Sequence, residues 1–143
     1  MQSDWRIWAL GSAFFAALTA ILAKVGVAGV SSNLATVVRT VVILVFGTGL
    51  VWMTGEGRGV ATLGARTLSF LVLSGLATGL SWLCYFRALQ LGEAAQVAPV
   101  DKLSVVFVMV LAAAFLGEKL SWHQWLGGGL ILAGAVVIAA KST

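Results

Sequence analysis

Five apolar stretches divide this chain of 143 residues, and they limit what it can fold into more than any other feature. They run from Trp5 to Ala23, Leu34 to Met53, Leu68 to Phe86, Val105 to Leu116 and Trp122 to Ala140. An α-helix rises about 1.5 Å per residue, so about 20 residues cross the hydrocarbon core of a bilayer. Four of the five stretches approach or reach that length by themselves. The fourth has 12 apolar residues and is preceded directly by Pro99, Asp101 and Lys102.

A short buried helix of a soluble protein would also account for that fourth stretch, and composition decides between the two. Hydrophobic residues make up 60% of the chain and charged residues 10%, with a mean hydropathy of +1.03. Soluble domains carry about a quarter charged residues, so there is too little polar surface here to keep a folded domain in water. The expected fold is an all-α integral membrane protein with five transmembrane helices, near residues 5–24, 34–53, 67–87, 95–116 and 122–140. The first reads as a retained helix rather than a signal peptide. Its Arg6 is offset by Asp4, and its apolar run exceeds the length of an ordinary signal-peptide core.

If the fourth segment spans, it takes its charges with it. Counting back about 20 residues from Phe115 places the start near Gln96, which leaves Asp101 and Lys102 on the order of 8 Å inside the boundary. Two arrangements tolerate this. In one, Pro99 lies near the first helical position, Asp101 caps the first turn, and Lys102 snorkels to the headgroups. In the other, the helix starts near Ala94 and Pro99 interrupts it, freeing the Ala95 carbonyl beside a polar cavity. Successive helical positions point about 100° apart, so Asp101 and Lys102 are expected to seek separate partners. Both are candidates for function, because ionisable residues within a membrane mark solute and ion paths.

The connections carry helix punctuation. Ser32 and Asn33 are candidate N-caps for the second helix, Gly117 closes the fourth, and Ser121 with Gln124 forms a capping box for the fifth. The stretch TGEGRGVATLGAR lacks the βαβ context and the Lys-Ser/Thr ending of a phosphate loop, so it reads as a flexible surface loop. Trp5, Trp8, Trp52, Trp82, Trp122 and Trp125 lie toward segment ends, where interfacial aromatic belts form. Small residues recur at four-residue spacing, as in Ser12–Ala16–Ala20, Ser74–Thr78, Gly75–Gly79 and Gly129–Ala133, and such ridges let helices approach closely.

Five crossings put Lys24, Arg39, Arg87, Glu93, Asp101, Lys102 and Lys141 toward one membrane face. Asp4, Arg6, Glu56, Arg58, Arg66, Glu118 and Lys119 fall toward the other. Basic residues then number five against four, which gives almost no positive-inside signal and is compatible with insertion in both orientations. Arg39, about two turns inside the second helix, either reaches back to headgroups or joins Lys24, Arg87 and Lys102 in a positive wall that attracts anionic or zwitterionic solutes. The net charge of +4 is spread without a basic run, so it points to lipid headgroups rather than nucleic acid. One cysteine, Cys84, and one histidine, His123, leave no basis for a disulfide, a zinc site or a histidine triad. No enzyme activity, catalytic residue, metal or cofactor is expected.

The C-terminal half, ALQLGEAAQVAPVDKLSVVFVMVLAAAFLGEKLSWHQWLGGGLILAGAVVIA, resembles the EamA-type repeat of the drug/metabolite transporter superfamily. The carrying features are the small-rich turn and proline from Gly92 to Pro99, the Gly117-Glu118-Lys119 turn, and Gln124-Trp125-Leu126-Gly127 opening a glycine-rich last helix. ALTAILAK at Ala17–Lys24 and SNLATVVRT at Ser32–Thr40 match more loosely. The resemblance implies one five-helix half-repeat of a ten-helix inverted-repeat transporter, with its solute site at the repeat interface. It further implies two copies per pathway, an antiparallel homodimer among the options, beside a parallel dimer or a separately encoded partner.

On that resemblance the chain is expected in the inner membrane as a multi-pass transporter, an exporter of a small metabolite or drug-like solute. Lys24, Arg39, Trp82, Tyr85, Arg87, Asp101, Lys102 and Ser104 are the candidate cavity residues. A lipid-phosphate or glycolipid flippase, and a non-transporting half-repeat subunit that needs a partner, are the alternative readings.

Overall fold

A computed structural model describes residues 4–140 of the chain; Lys141, placed above on one membrane face, lies outside the described residues. The helices are α1 (Trp5–Gly26), α2 (Ser32–Thr54), α3 (Ala65–Leu91), α4 (Ala94–Asp101), α5 (Ser104–Phe115) and α6 (Trp122–Ala140). No strand occurs among the described residues. α4 and α5 together make one 22-residue span, Ala94–Phe115, so the six helices supply five segments long and apolar enough to cross a membrane. Their surface is inverted relative to a soluble protein. Trp52 is 84% exposed and Phe115 80%, and most large apolar side chains of the spans likewise face outward, where lipid tails solvate them.

The chain divides into two compact units. One holds the described residues up to Ile21 together with those from Leu91 to Ala140, and the other is Leu22–Gln90. In the second unit, α1 ends at Gly26 and the chain turns through residues 27–30, with Gly29 in the left-handed region at φ 76°. α2 is capped by Ser31, one residue before the expected Ser32, and the Ser31 hydroxyl accepts the Leu34 amide at 3.3 Å. Within α2 the hydroxyls of Thr36 and Thr40 donate back to the Ser32 and Thr36 carbonyls, each at 2.8 Å, so neither is left unsatisfied among apolar neighbours. Gly55, at φ 73°, ends α2, and a 3₁₀ turn over Glu56–Thr62 leads toward α3. The glycine-rich connection is therefore a short helical turn rather than an irregular loop.

In the first unit, α4 and α5 both pack along α6. Gly117, at φ 67°, carries the chain out of α5, as expected of a glycine there. The capping box is also present. The Ser121 amide donates to Gln124 Oε1 at 2.7 Å, and the Gln124 amide donates to Ser121 Oγ at 3.4 Å. Close approach centres on Gly128 rather than the expected Gly129. A Cβ on Gly128 would sit 2.8 Å from Met109 Sδ, whereas one on Gly129 would meet nothing within 4 Å. Which glycine of the three faces a neighbour depends on helix rotation, which spacing alone does not fix.

Candidate functional site

The fourth span is broken, but not where proline alone would break it. α4 starts at Ala94 and contains Pro99, which cannot donate to the Ala95 carbonyl. The interruption comes after it, at Lys102 and Leu103. There the Leu103 amide bonds the Val100 carbonyl at 3.0 Å, and the Val105 amide takes the Lys102 carbonyl at 3.0 Å instead of that of Asp101. These are the tighter i→i+3 bonds of a 3₁₀ turn. Asp101 is the last residue of α4, so the arrangement in which it caps a first turn is not the one found. Separate partners for Asp101 and Lys102 are also not found. Lys102 Nζ lies 3.4 Å from Asp101 Oδ2, because Lys102 stands in the turn, outside the regular 100° progression of a helix. Ser104 opens α5 beside this break and is exposed.

The unit Leu22–Gln90 holds the other five candidates. Arg39, the eighth residue of α2, lays its guanidinium over the Trp82 ring of α3, 4.3 Å from the centroid, and 5.5 Å from that of Phe86. No ion pair reaches it among the described residues, and its charge rests on aromatic faces. Trp82 is half-buried under this cation, nine residues before the end of α3. Tyr85 and Phe86 follow on the same helix with ring centroids 6.4 Å apart, and Phe86 is 2% exposed. The significance of Phe86 was not legible in the sequence, where it is one apolar residue among many. Its near-complete burial and its place beneath Arg39 are tertiary facts.

Lys24 and Arg87 meet at one cleft of about 470 Å³, lined also by Leu89, Gln90 and the Val27–Ser31 turn. The cleft is tied by polar bonds. Lys24 Nζ donates to the Leu89 carbonyl at 2.6 Å, satisfying one of the last carbonyls of α3 with a cation where the helix dipole favours one. Gln90 Nε2 donates to the Val30 carbonyl at 2.6 Å, and its Oε1 accepts from Arg87 Nη1 at 3.2 Å. Thus the α1–α2 turn is fastened to the C-terminal end of α3. Sequence spacing did not identify Gln90, whose role comes from the turn it reaches.

Chemically, these residues offer a planar cation on an aromatic platform, a basic cleft, and a helix break carrying both signs of charge.

Comparison with known proteins agrees with this membrane architecture. The chain is 55% identical over 139 residues to an "Uncharacterized transporter in cobO 3'region" of a Sinorhizobium species, covering 97% of this chain and 99% of that relative. It is 34% identical to a "Probable terminal-alkyne amino-acid exporter" of Streptantibioticus cattleyicolor, covering 97% of this chain but 46% of the exporter. Over 69 residues, 48% of this chain and 60% of the relative, it is 30% identical to a "Probable 4-amino-4-deoxy-L-arabinose-phosphoundecaprenol flippase subunit ArnE" of Aeromonas salmonicida. No solved structure matches. Residues 4–140 match the model of the EamA-like transporter family, and this multi-pass membrane protein belongs to that family.

Proposed function

We propose that the protein is a secondary transporter of the inner membrane that exports a small metabolite or drug-like solute and works as a homodimer. The observation that carries this reading is the fourth span, broken at Lys102–Leu103 with Asp101 and Lys102 at the break. Ionisable groups and irregular backbone at membrane depth are costly, and transporters use them where a helix lines a polar path. Asp101, Lys102 and Ser104 would form one polar element of the solute path, with Asp101 able to carry a coupling proton. Lys24, Arg39, Trp82, Tyr85 and Arg87 would form another.

The chain spans about half of the Streptantibioticus exporter, 46%, so two copies would supply a comparable set of helices. The near-equal count of basic residues toward the two faces supports an antiparallel pair. Export as the direction is carried over from the name of that relative.

A flippase for a lipid phosphate or glycolipid is the second reading. It is supported by the basic cleft of Lys24 and Arg87 at helix ends and by the likeness to the ArnE subunit. In either reading the chain performs no covalent chemistry.

Reconstituted protein tests the proposal through two measurements. Proteoliposomes are expected to move solute down an imposed gradient, with Lys102→Ala and Arg39→Ala each lowering the rate. A single cysteine placed at the N-terminus in a Cys84→Ser background is expected to label from both sides of the membrane. Absence of any solute movement, together with unchanged growth phenotypes in both variants, would remove the transport reading. Labelling from one side would remove the antiparallel pair. Preferential retention of anionic lipid in native mass spectrometry, with no movement of soluble solutes, would favour the flippase.

A further inference from the structure

The charge balance of Leu22–Gln90 sets Arg39 apart. This unit contains five cations, Lys24, Arg39, Arg58, Arg66 and Arg87, against one carboxylate, Glu56. Glu56 follows the C-terminal end of α2, and at about 1.5 Å per residue it lies roughly 25 Å along the chain from Arg39. The ion pair among the described residues joins Lys102 and Asp101, and none reaches Arg39. Its neighbours on α2 already donate elsewhere, Thr36 to the Ser32 carbonyl and Thr40 to the Thr36 carbonyl. A cation in a membrane span whose charge is eased by aromatic faces, and not cancelled, calls for an anion from outside the protein.

Resting on the transport reading above, we infer that Arg39 is the docking group for an oxyanion with two coplanar oxygens, a carboxylate or a phosphate. The Arg39 guanidinium carbon lies 4.3 Å from the Trp82 ring centroid and 5.5 Å from that of Phe86, which is itself buried, so the two rings hold the cation in place. The five N–H donors of a guanidinium lie in its plane and present two-pronged forks. A carboxylate or phosphate matches that fork with two parallel hydrogen bonds, whereas an amine, ester or neutral alcohol does not. Lysine has a comparable charge but no fork and no planar face for Trp82, so it is a poor substitute. The source of the oxyanion is either a soluble solute, such as a zwitterionic amino acid, or the phosphate of a lipid headgroup.

The test uses the full chain in nanodiscs and follows tryptophan emission. The probes are L-norvaline, its methyl ester and inorganic phosphate, in discs of phosphatidylcholine and again in discs containing phosphatidylglycerol. A saturable change is expected with norvaline or phosphate in phosphatidylcholine discs, and none with the ester. Arg39→Gln is expected to abolish it. Arg39→Lys is expected to weaken binding at least about tenfold, the consequence of losing one charged hydrogen bond. Trp82→Phe should remove most of the optical change while calorimetry still detects binding.

An identical response in both lipids assigns the site to a soluble oxyanion. A response lost in phosphatidylglycerol discs assigns it to the phosphate of an anionic lipid headgroup, which no choline cation neutralises and which then occupies the fork. No saturable response from the wild-type chain in phosphatidylcholine, or an Arg39→Gln chain that titrates like wild type, overturns the inference. Arg39→Lys separates loss of the fork from loss of fold, since it keeps the charge within α2. Arg39→Gln that titrates like wild type and still moves solute leaves transport standing and removes the oxyanion site. Arg39-dependent binding without solute movement does the reverse.

Discussion

Replacing Gly128 with leucine places the cost of a side chain at one atom. A Cβ there would lie 2.8 Å from Met109 Sδ and 3.0 Å from its Cε, against an ordinary contact distance of 3.4–4 Å. The sulfur must therefore retreat by at least 0.6 Å, the difference between 3.4 and 2.8 Å. A methionine side chain is flexible enough to do so for one methyl group. Gly128→Ala is accordingly expected to stay within about 1 kcal/mol of wild type, since the helix propensity gained over glycine is of that same order.

Gly128→Leu adds three further carbons beyond the Cβ, which Met109 cannot evade while α5 stays packed on α6. A loss of about 1–3 kcal/mol follows, the usual cost of overpacking. The same change at Gly129 meets nothing within 4 Å and serves as the matched control. Unfolding in mixed micelles, followed by tryptophan emission, measures all three. Met109→Ala should recover at least about 1 kcal/mol of the Gly128→Leu loss in a double-mutant cycle. Equal losses at Gly128 and Gly129, or no recovery with Met109→Ala, would refute the account of how α5 meets α6.

Two other outcomes follow from particular bonds. Lys24→Met keeps the aliphatic stem but removes the donor to the Leu89 carbonyl, and should lower the unfolding free energy by about 1 kcal/mol, toward the small end for a charged hydrogen bond because Lys24 is partly exposed. Pro99→Ala restores the missing donor to the Ala95 carbonyl and should raise the unfolding free energy, and with it the midpoint, by at least about 1 kcal/mol on the scale of proline in helix interiors. A midpoint that falls would mean that Pro99 contributes more by packing than it costs in hydrogen bonding.

Much of the fold was legible because its signals are local. Span number follows from apolar length, and the Ser121–Gln124 box and the Gly117 turn each follow from residues within one or two helical turns. The second helix shows the limit, since Ser31, Ser32 and Asn33 are all competent caps and only the path of the preceding turn selects Ser31. Candidate residues were legible as chemistry but not as partners. Arg39 stood out as a charge in a span, yet its seat on Trp82 and Phe86 depends on how α2 meets α3. Asp101 and Lys102 were judged by regular helix geometry, and the break at Lys102–Leu103 is where that geometry stops applying.

The ties at the C-terminal end of α3 make that helix a lever with a fixed fulcrum. Lys24 on the Leu89 carbonyl and Gln90 on the Val30 carbonyl hold one end, while α3 extends for 27 residues, about 40 Å. A tilt of about 10° about that end sweeps the Ala65 end through roughly 7 Å. Trp82 lies nine residues from the fulcrum, about 14 Å, and the same tilt moves it by roughly 2 Å. The aromatic seat of Arg39 is thus mounted where leverage is small, so a swing of the far end leaves the Trp82 ring nearly in place.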